Sequence, residues 1–600
     1  MEMGINLSEK QRQIVEFTDG PLLVQAGPGS GKTRVLIERI KRLLSYKKRT
    51  KVLALTFSNM AAEEMKNRIN DGLPDSELID NVTVGTIHSF CLDIVQNRGY
   101  LIGLPENLTI FENPEDRKTI LKEICLNNPY LLRMLDENGN PDKEISHLLV
   151  KIEGYKKKFI FPHDPSLSIS ESEIYELYNQ SLLMQGAIDF DDILMYAYRI
   201  LSENKNVAAL FTAQYRYICI DEAQDLNFAQ YQVIRAVCGT NYRNIMMVGD
   251  TKQSIYGFNG SDSSLMSEQF VKDYSPKIFY LSENFRSSQA IVNFANTLED
   301  SSDYTNCYYK GELTFETYEN EESEATAVCN KIIMLMSNGH PDVENKINYS
   351  DIAIIARNKY VLNHIVQALT DHNMPFYFKR TTTGIESESN AFKQFDLELR
   401  LCSNSRDLIH AQEMKKLSFI INDDSLTTFI HSCASRINEE HFDLKPVLQE
   451  IIQWAENTEL PDEEKYLIIH DGKLWLRHWE KYTGQVKRES RSITSFRNYV
   501  ALGKTQITED TTGITLLTAH MSKGLQFEVV FVIGLSDGTF PDYRALQTGG
   551  EAMEQEKNNM FVAVTRAKRL CYLSNSRWKE MPWGGTKMQK ASRFVASLIR

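Results

Sequence analysis

The run Ala26-Gly27-Pro28-Gly29-Ser30-Gly31-Lys32-Thr33 constrains this chain more than any other feature. It follows an apolar stretch, Leu22 to Gln25, and leads into a helical pattern through Leu36 and Ile40. A strand, a glycine-rich turn and a helix in that order place successive backbone N–H groups around phosphate oxygens at a helix N-terminus. Ala26, Gly27, Gly29, Ser30 and Gly31 keep the loop small, Lys32 neutralises β/γ-phosphate charge, and the Thr33 hydroxyl ligates Mg²⁺. Ala26 departs from the strict pattern, which has Gly there.

A second half for such a site stands at the end of another apolar strand, in Tyr217-Ile218-Cys219-Ile220-Asp221-Glu222-Ala223-Gln224-Asp225. Asp221 is fit to hold the Mg²⁺ shell and Glu222 to polarise an attacking water. Alone, an acidic strand end reads as a solvated turn or helix cap. Beside a phosphate loop it reads as catalytic. Phosphoryl transfer is mostly positioning and electrostatics, and one lysine leaves charge to be met. Arg286, in Leu281-Ser282-Glu283-Asn284-Phe285-Arg286-Ser287, and Arg566, in Phe561-Val562-Ala563-Val564-Thr565-Arg566-Ala567-Lys568, are the candidates. Each taken singly would be an ordinary surface arginine.

The 600 residues exceed what one core organises, and 42% apolar content lets several domains each have their own. Short β-rich runs alternate with helical patterns at both ends, which implies α/β layers around parallel strands. Two stretches, about 93–185 and 385–510, have helical spacing and little strand signal, and read as helical insertions. The longest apolar run, Val529 to Leu535, is far short of the roughly 18 residues of a membrane span. Met1 to Asn6 shows no signal-peptide pattern, and the nine cysteines form no C-x-x-C pair. Both point to a reducing cytoplasm. The net charge of −13 argues against coating nucleic acid by bulk charge. Residues 299–324 and 439–464, however, each hold nine acids and one lysine, so the remainder of the chain is near neutral.

An ordered series of motifs now adds up. Leu7-Ser8-Glu9-Lys10-Gln11 precedes the phosphate loop; Leu55-Thr56-Phe57-Ser58-Asn59 with Ala61-Ala62-Glu63-Glu64-Met65 and Val84-Gly85-Thr86-Ile87-His88-Ser89-Phe90 follow it. Gly186-Ala187-Ile188-Asp189-Phe190-Asp191-Asp192 leads to the acidic strand, and Val248-Gly249-Asp250-Thr251-Lys252-Gln253-Ser254-Ile255-Tyr256-Gly257-Phe258 comes after it. Thr518-Ala519-His520-Met521-Ser522-Lys523-Gly524-Leu525-Gln526-Phe527 and Val564-Thr565-Arg566-Ala567 close the series. Across nearly its whole length the chain resembles the UvrD/Rep/PcrA-like DNA helicases of superfamily 1, which include the AddA and RecB motors.

The resemblance implies an α/β fold of two RecA-like P-loop lobes, each interrupted by a mainly helical insertion. The implied divisions are 1–92 and 186–275 for the first lobe, 93–185 for its insertion, 276–384 and 511–600 for the second lobe, and 385–510 for its insertion. It implies ATP and Mg²⁺ between the lobes and single-stranded DNA, or single/double-strand junctions, across them. By family analogy Gln11 reads the adenine edge, Arg34 and Phe285 sandwich the base, Gln253 senses the γ-phosphate, and Arg286 and Arg566 are the fingers. Phe57, His88, Tyr256, Phe258 and His520 occupy base-stacking positions, and Thr56 and Thr86 phosphate-contacting ones; the type of surface fits strand binding without sequence preference. An isolated aromatic near a strand end is otherwise core packing.

The chain departs from the family in places. Asn259 stands where relatives usually have Arg, which points to rearranged coupling, and Gln526 where many have Glu, so ribose recognition falls to an amide. Lys416 to Asp424 lacks the Gly-Ile-Gly motif that grips duplex in relatives. Arg477 to Lys504 interleaves seven basic residues with Trp479, Tyr482, Phe496 and Tyr499, and reads equally as a DNA-facing patch or a solvated helix face. Lys156-Lys157-Lys158 is a second candidate strand contact. The short stretch after Arg566 leaves no room for a carboxy-terminal nuclease domain, so a nuclease would be a separate subunit. The leading expectation is an ATP-driven motor moving 3′ to 5′ on single-stranded DNA and separating duplex. The alternative is an ATP-dependent DNA sensor or regulatory subunit beside a separate nuclease, in DNA repair or antiviral defence. A bare P-loop ATPase acting on other substrates leaves the later motifs unexplained.

Overall fold

The computed structural model describes residues 7–46, 50–73, 76–128, 140–239, 241–299, 308–379, 384–420, 424–437, 442–506, 512–580 and 584–599. Short apolar runs become the strands of a first sheet: Leu22–Ala26 (β1), Val52–Thr56 (β2), Val82–Thr86 (β3), Tyr217–Ile220 (β6), Ile245–Gly249 (β7) and Lys277–Leu281 (β8). Thr109–Ile110 (β4) and Ala187–Ile188 (β5) form a small separate pair between them. The first sheet runs β3-β2-β6-β7-β1-β8 with every pair parallel. Its inner strands β2, β6 and β7 are buried at every residue, as parallel strands covered on both faces must be.

A second sheet holds Glu312–Asn320 (β9), Ile352–Ala356 (β10), Phe376–Phe378 (β11), Ile514–Thr518 (β12), Phe527–Val532 (β13), Ala567–Glu580 (β14) and Thr586–Met588 (β15). Its order is β11-β12-β10-β13-β14-β15, with β9 also pairing β14; only β14 and β15 are antiparallel. Helices cover both faces of each sheet, giving each lobe two apolar clusters. The chain is thus α/β, with two RecA-like lobes. Two helical bodies have their own cores, one formed between Phe111 and Ala187 with Ile409 reaching in from the second insertion, and one between Ala391 and Val500.

Two elements packed with the first sheet lie at or beyond positions 92 and 275. Helix Ile87–Arg98 runs across position 92 and buries Ile87, Phe90, Cys91, Ile94 and Val95 against the first sheet. Strand β8 falls after 275 yet pairs β1. A leucine-rich helix has the same period whether it packs on a sheet or on helices. An edge strand such as β8, mostly exposed, carries too little apolar signal to announce which sheet it joins.

The acidic stretches have structural positions. Glu321, Glu322 and Glu324 open helix Glu321–Asn338, and Asp462, Glu463 and Glu464 open helix Asp462–Gln485. Carboxylates in a first turn complement the helix dipole. Residues 300–307 and 439–441 of those stretches lie outside the described residues. No helix among the described residues is long and apolar enough to cross a membrane.

Candidate active site and nucleic-acid interface

The phosphate loop follows β1 and opens helix Lys32–Tyr46. Ala26 ends the strand with its methyl in the lobe core, so the position that lacks the usual glycine carries no backbone demand for one. Gly29 and Gly31 do: their φ angles are 69° and 81°. A Cβ on Gly29 would lie 2.5 Å from Asn284 Oδ1 and 2.8 Å from Arg286 Cβ; one on Gly31 would lie 3.0 Å from Gln11 Nε2. These glycines let neighbouring segments close onto the loop. Gln11 Nε2 donates to the Ser30 carbonyl at 2.9 Å, Ser30 Oγ to the Gly27 carbonyl at 2.7 Å, and the Phe285 N–H to the Gly29 carbonyl at 2.9 Å. Arg34 and Phe285 are exposed, and Gln526 is exposed on the second lobe.

Lys32 Nζ is buried without a hydrogen-bond partner, 4.0 Å from Glu222 Oε2. Thr33 Oγ1 donates to Asp221 Oδ2 at 3.2 Å. An orphaned ammonium, a cradle that a Cβ would fill and a hydroxyl–carboxylate pair fit a nucleoside triphosphate with Mg²⁺. Lys32 would face the phosphates, and Thr33 and Asp221 the metal. Glu222, separated from β6 by Asp221, takes a left-handed φ of 51°, a strained backbone conformation for a residue other than glycine. Burial and the neighbouring Glu222 push the Asp221 carboxyl up to about 7. Burial would raise Glu222 too, but Lys32 and then Lys523 outweigh it and hold Glu222 down at about 2. Glu222 is therefore the ionised member at neutral pH.

Both arginines come to this site. Arg286 is half-buried, but its Nε is fully buried and unpartnered, and desolvation draws the group down to about 10. Arg566 is 2% exposed; burial, and then the charge of Arg286, lower it to about 9. Arg566 Nε donates to the Val562 carbonyl at 2.9 Å, while a terminal nitrogen stands 3.4 Å from Gln253 Oε1. Two buried guanidiniums that repel one another are stabilised by an anion between them. Gln253 Nε2 in turn donates to Asp250 Oδ2 at 2.7 Å.

A cleft of about 2020 Å³ opens from Thr33, Asp221 and Glu222 across both lobes. Thr56, Phe57, Thr86, His88, Tyr256 and His520 all line it. Phe57 stacks on Tyr256 at 4.9 Å between ring centroids, and Phe258, 71% exposed, meets His520 edge-on at 5.3 Å. Thr56 Oγ1 is buried and unpartnered. Thr86 caps helix Ile87–Arg98, accepting from the Ser89 N–H at 3.2 Å. Burial, with Lys157 nearby, draws His88 down to about 4, and burial with Arg357 does the same to His520. Both are neutral at pH 7, so they offer ring faces rather than charge.

Within the two basic stretches, the structure separates buried residues from those that reach the cleft. Lys156 is fully buried and donates to Asp189 Oδ2 and Asp192 Oδ1, each at 2.7 Å; only its neighbour Lys157 reaches the cleft, where it donates to Asn259 Oδ1 at 3.0 Å. Trp479, Tyr482 and Phe496 lie in the core of the second helical body, while Arg477, Lys481, Lys487 and Lys504 face the cleft. Apart from Arg497, which is buried and ion-paired with Asp396, the interleaving of aromatic and basic residues is the two faces of amphipathic helices, apolar inward and basic outward. In the Lys416–Asp424 segment, residues 421–423 lie outside the described residues, and helix Leu408–Ile420 covers its start.

Two interactions went unread in the sequence. Lys523 Nζ, from the second lobe, donates to Asp225 Oδ1 at 2.7 Å and to the Gln253 carbonyl at 2.6 Å, and lies 5.1 Å from the Tyr256 ring centre. It joins nucleotide site, lobe interface and aromatic track. Arg357, directly after β10, chelates Glu556 with contacts of 2.6 to 3.0 Å. A charged residue ending a fully buried strand was the available signal for it.

The fold and site together define a two-lobe P-loop nucleotide-dependent motor architecture. Comparison with known families makes that specific: residues 7–275 match the UvrD/REP helicase N-terminal domain, and residues 279–429 and 443–577 the UvrD-like helicase C-terminal domain. The ATP-dependent DNA helicase PcrA of Staphylococcus aureus (strain MRSA252) is 28% identical over 99% of this chain and 86% of its own length. The protein of the same name from Staphylococcus epidermidis (strain ATCC 12228) is 26% identical over the same shares. The chain belongs to the UvrD/Rep family of ATP-dependent DNA helicases.

Proposed function

We propose that this chain couples ATP hydrolysis to 3′–5′ movement along single-stranded DNA and separates duplex at a single/double-strand junction. The supporting observation is the position of Lys523, which touches the lobe holding Asp221 and Glu222, the segment holding Gln253, and the ring of Tyr256. A change in lobe closure at the nucleotide thereby changes the aromatic track. Lys32, Arg286 and Arg566 neutralise the phosphates and Glu222 orients the attacking water; Thr33 and Asp221 would hold Mg²⁺, which would supply charge to the phosphate oxygens. Gln11, with Arg34 and Phe285, takes the base, and Gln526 the ribose. Phe57, His88, Tyr256, Phe258 and His520 hold bases by stacking, with Thr56 and Thr86 toward the backbone, which gives binding independent of sequence. Such a protein works on DNA in the cytoplasm.

The test is strand displacement on duplexes with a 3′ or a 5′ single-stranded tail. Displacement of the 3′-tailed duplex alone, dependent on ATP, is the expected result. ATP turnover stimulated by single strands with no displacement of either substrate would reduce the reading to translocation. Displacement from the 5′ tail alone would overturn the polarity.

A further inference from the structure

The two helical bodies meet through polar side chains as well as apolar ones. Arg400 donates to Glu112 at 2.8 Å, Asn404 Nδ2 to Thr109 Oγ1 at 3.1 Å, and the Ile110 N–H donates to Asn498 Oδ1 at 3.1 Å. Within this seam lie Asp116, on helix Pro114–Asn127 of the first body, and His410 and Glu413, on helix Leu408–Ile420 of the second. One ligand-capable atom from each of the three lies within 4.8 Å of the other two, and among the described residues no other such group occurs.

Three features separate this cluster from a plain ion pair. Asp116 is 3% exposed and its Oδ2 accepts no hydrogen bond, although it faces His410 Nε2 at 3.4 Å. A buried lone pair without a partner is costly. The opposite ring nitrogen, Nδ1, is 2.6 Å from Asp407 Oδ2, a charge-assisted hydrogen-bond length. A proton held on Nδ1 by that bond fixes the ring so that Nε2 faces Asp116, and an ion that displaced the Nε2 proton would meet the carboxylate–histidine arrangement that orients metal-ligating imidazoles. Finally, 3.4 Å is too long for a charge-assisted N–H···O bond. It matches the edge of a tetrahedron with ligands about 2.0–2.1 Å from its centre, which is about 3.3–3.4 Å.

We propose that Asp116, His410 and Glu413 hold a divalent transition metal of the zinc class, with the fourth position open to water. His410 and Glu413, three apart on one helix, share a face, and the exposed Glu413 carboxylate is free to swing onto the ion. An imidazole ligand favours Zn²⁺ over the Mg²⁺ that accompanies nucleotide, since Mg²⁺ takes oxygen ligands in octahedral geometry. Because the ligands come from both helical bodies, occupancy ties one to the other.

The experiment titrates the full-length, metal-stripped protein with Zn²⁺ by calorimetry in the presence of excess Mg²⁺, and with Co²⁺ while recording visible absorption. Wild type is expected to bind one Zn²⁺ that Mg²⁺ does not displace, with a tetrahedral-type Co²⁺ spectrum. His410→Gln and Asp116→Asn remove that one equivalent, and Glu413→Gln, an exposed change that leaves folding intact, weakens it about tenfold or more. Zn²⁺ bound at cysteines would persist in all three variants. Equal stoichiometry and affinity in wild type and in Glu413→Gln and Asp116→Asn, or no binding in wild type, would overturn the proposal.

Discussion

Replacing Lys523 by Met removes one ammonium and keeps most of the stem. Asp225, which is fully buried, then loses its ion pair. Breaking a buried pair costs about 3–5 kcal/mol when the stranded charge persists. Here it does not persist: burial, opposed by Lys523, already sets Asp225 at about 6. Protonating it at pH 7 costs only about 1.4 kcal/mol even before the lysine is lost. The fold therefore survives, and the loss falls on the lobe interface. A charge-assisted hydrogen bond is worth about 1.5–3 kcal/mol, or roughly ten- to hundredfold in a closing equilibrium. DNA-stimulated kcat of Lys523→Met is expected to fall by about that factor. The KM for ATP should change less than about threefold, because Lys523 has no hydrogen bond to the phosphate loop. Steady-state ATPase assays with saturating oligonucleotide measure both. The double variant Asp225→Asn/Lys523→Met should be no slower than Lys523→Met alone. A raised KM at unchanged kcat, or losses that multiply in the double variant, would refute the coupling role.

Gly29→Ala places a Cβ 2.5 Å from Asn284 Oδ1 at a positive φ, so the loop must shift away from Arg286; a loss of ATP affinity of about tenfold or more, read by fluorescent-nucleotide titration, is expected. Thr56→Val removes a buried hydroxyl that has no partner, so thermal stability should hold or rise while single-strand affinity falls. Lys504 lines the cleft, and burial, with Lys66 adding to it, lowers it to about 8. Its charge is lost as pH rises through 8, so single-strand affinity should weaken by up to about tenfold from pH 7 to 9, and Lys504→Arg should flatten that profile.

The phosphate loop and the acidic strand were legible because local stereochemistry demands particular residues there: positive φ at Gly29 and Gly31, and an apolar strand ending abruptly in Asp221. The architecture followed from the alternation of buried strands with amphipathic helices. What escaped were pairings between distant segments. Nothing local to Lys156 distinguishes it from Lys157 and Lys158, yet Asp189 and Asp192 bury it. Trp479 and Tyr482 share a helix with Arg477 and Lys481, and only the packing of the second body shows which face turns inward. Lys523 lay inside a recognised motif, but its partner Asp225 is nearly three hundred residues away in the chain, separated by 298 positions.

Steady-state ATP turnover with and without single-stranded DNA bears most directly on coupling between the nucleotide site and the aromatic cleft. Turnover should rise by an order of magnitude or more on adding an oligonucleotide of any sequence, and both basal and stimulated rates should vanish in Lys32→Ala. Turnover indifferent to DNA, or intact in Lys32→Ala, would contradict it.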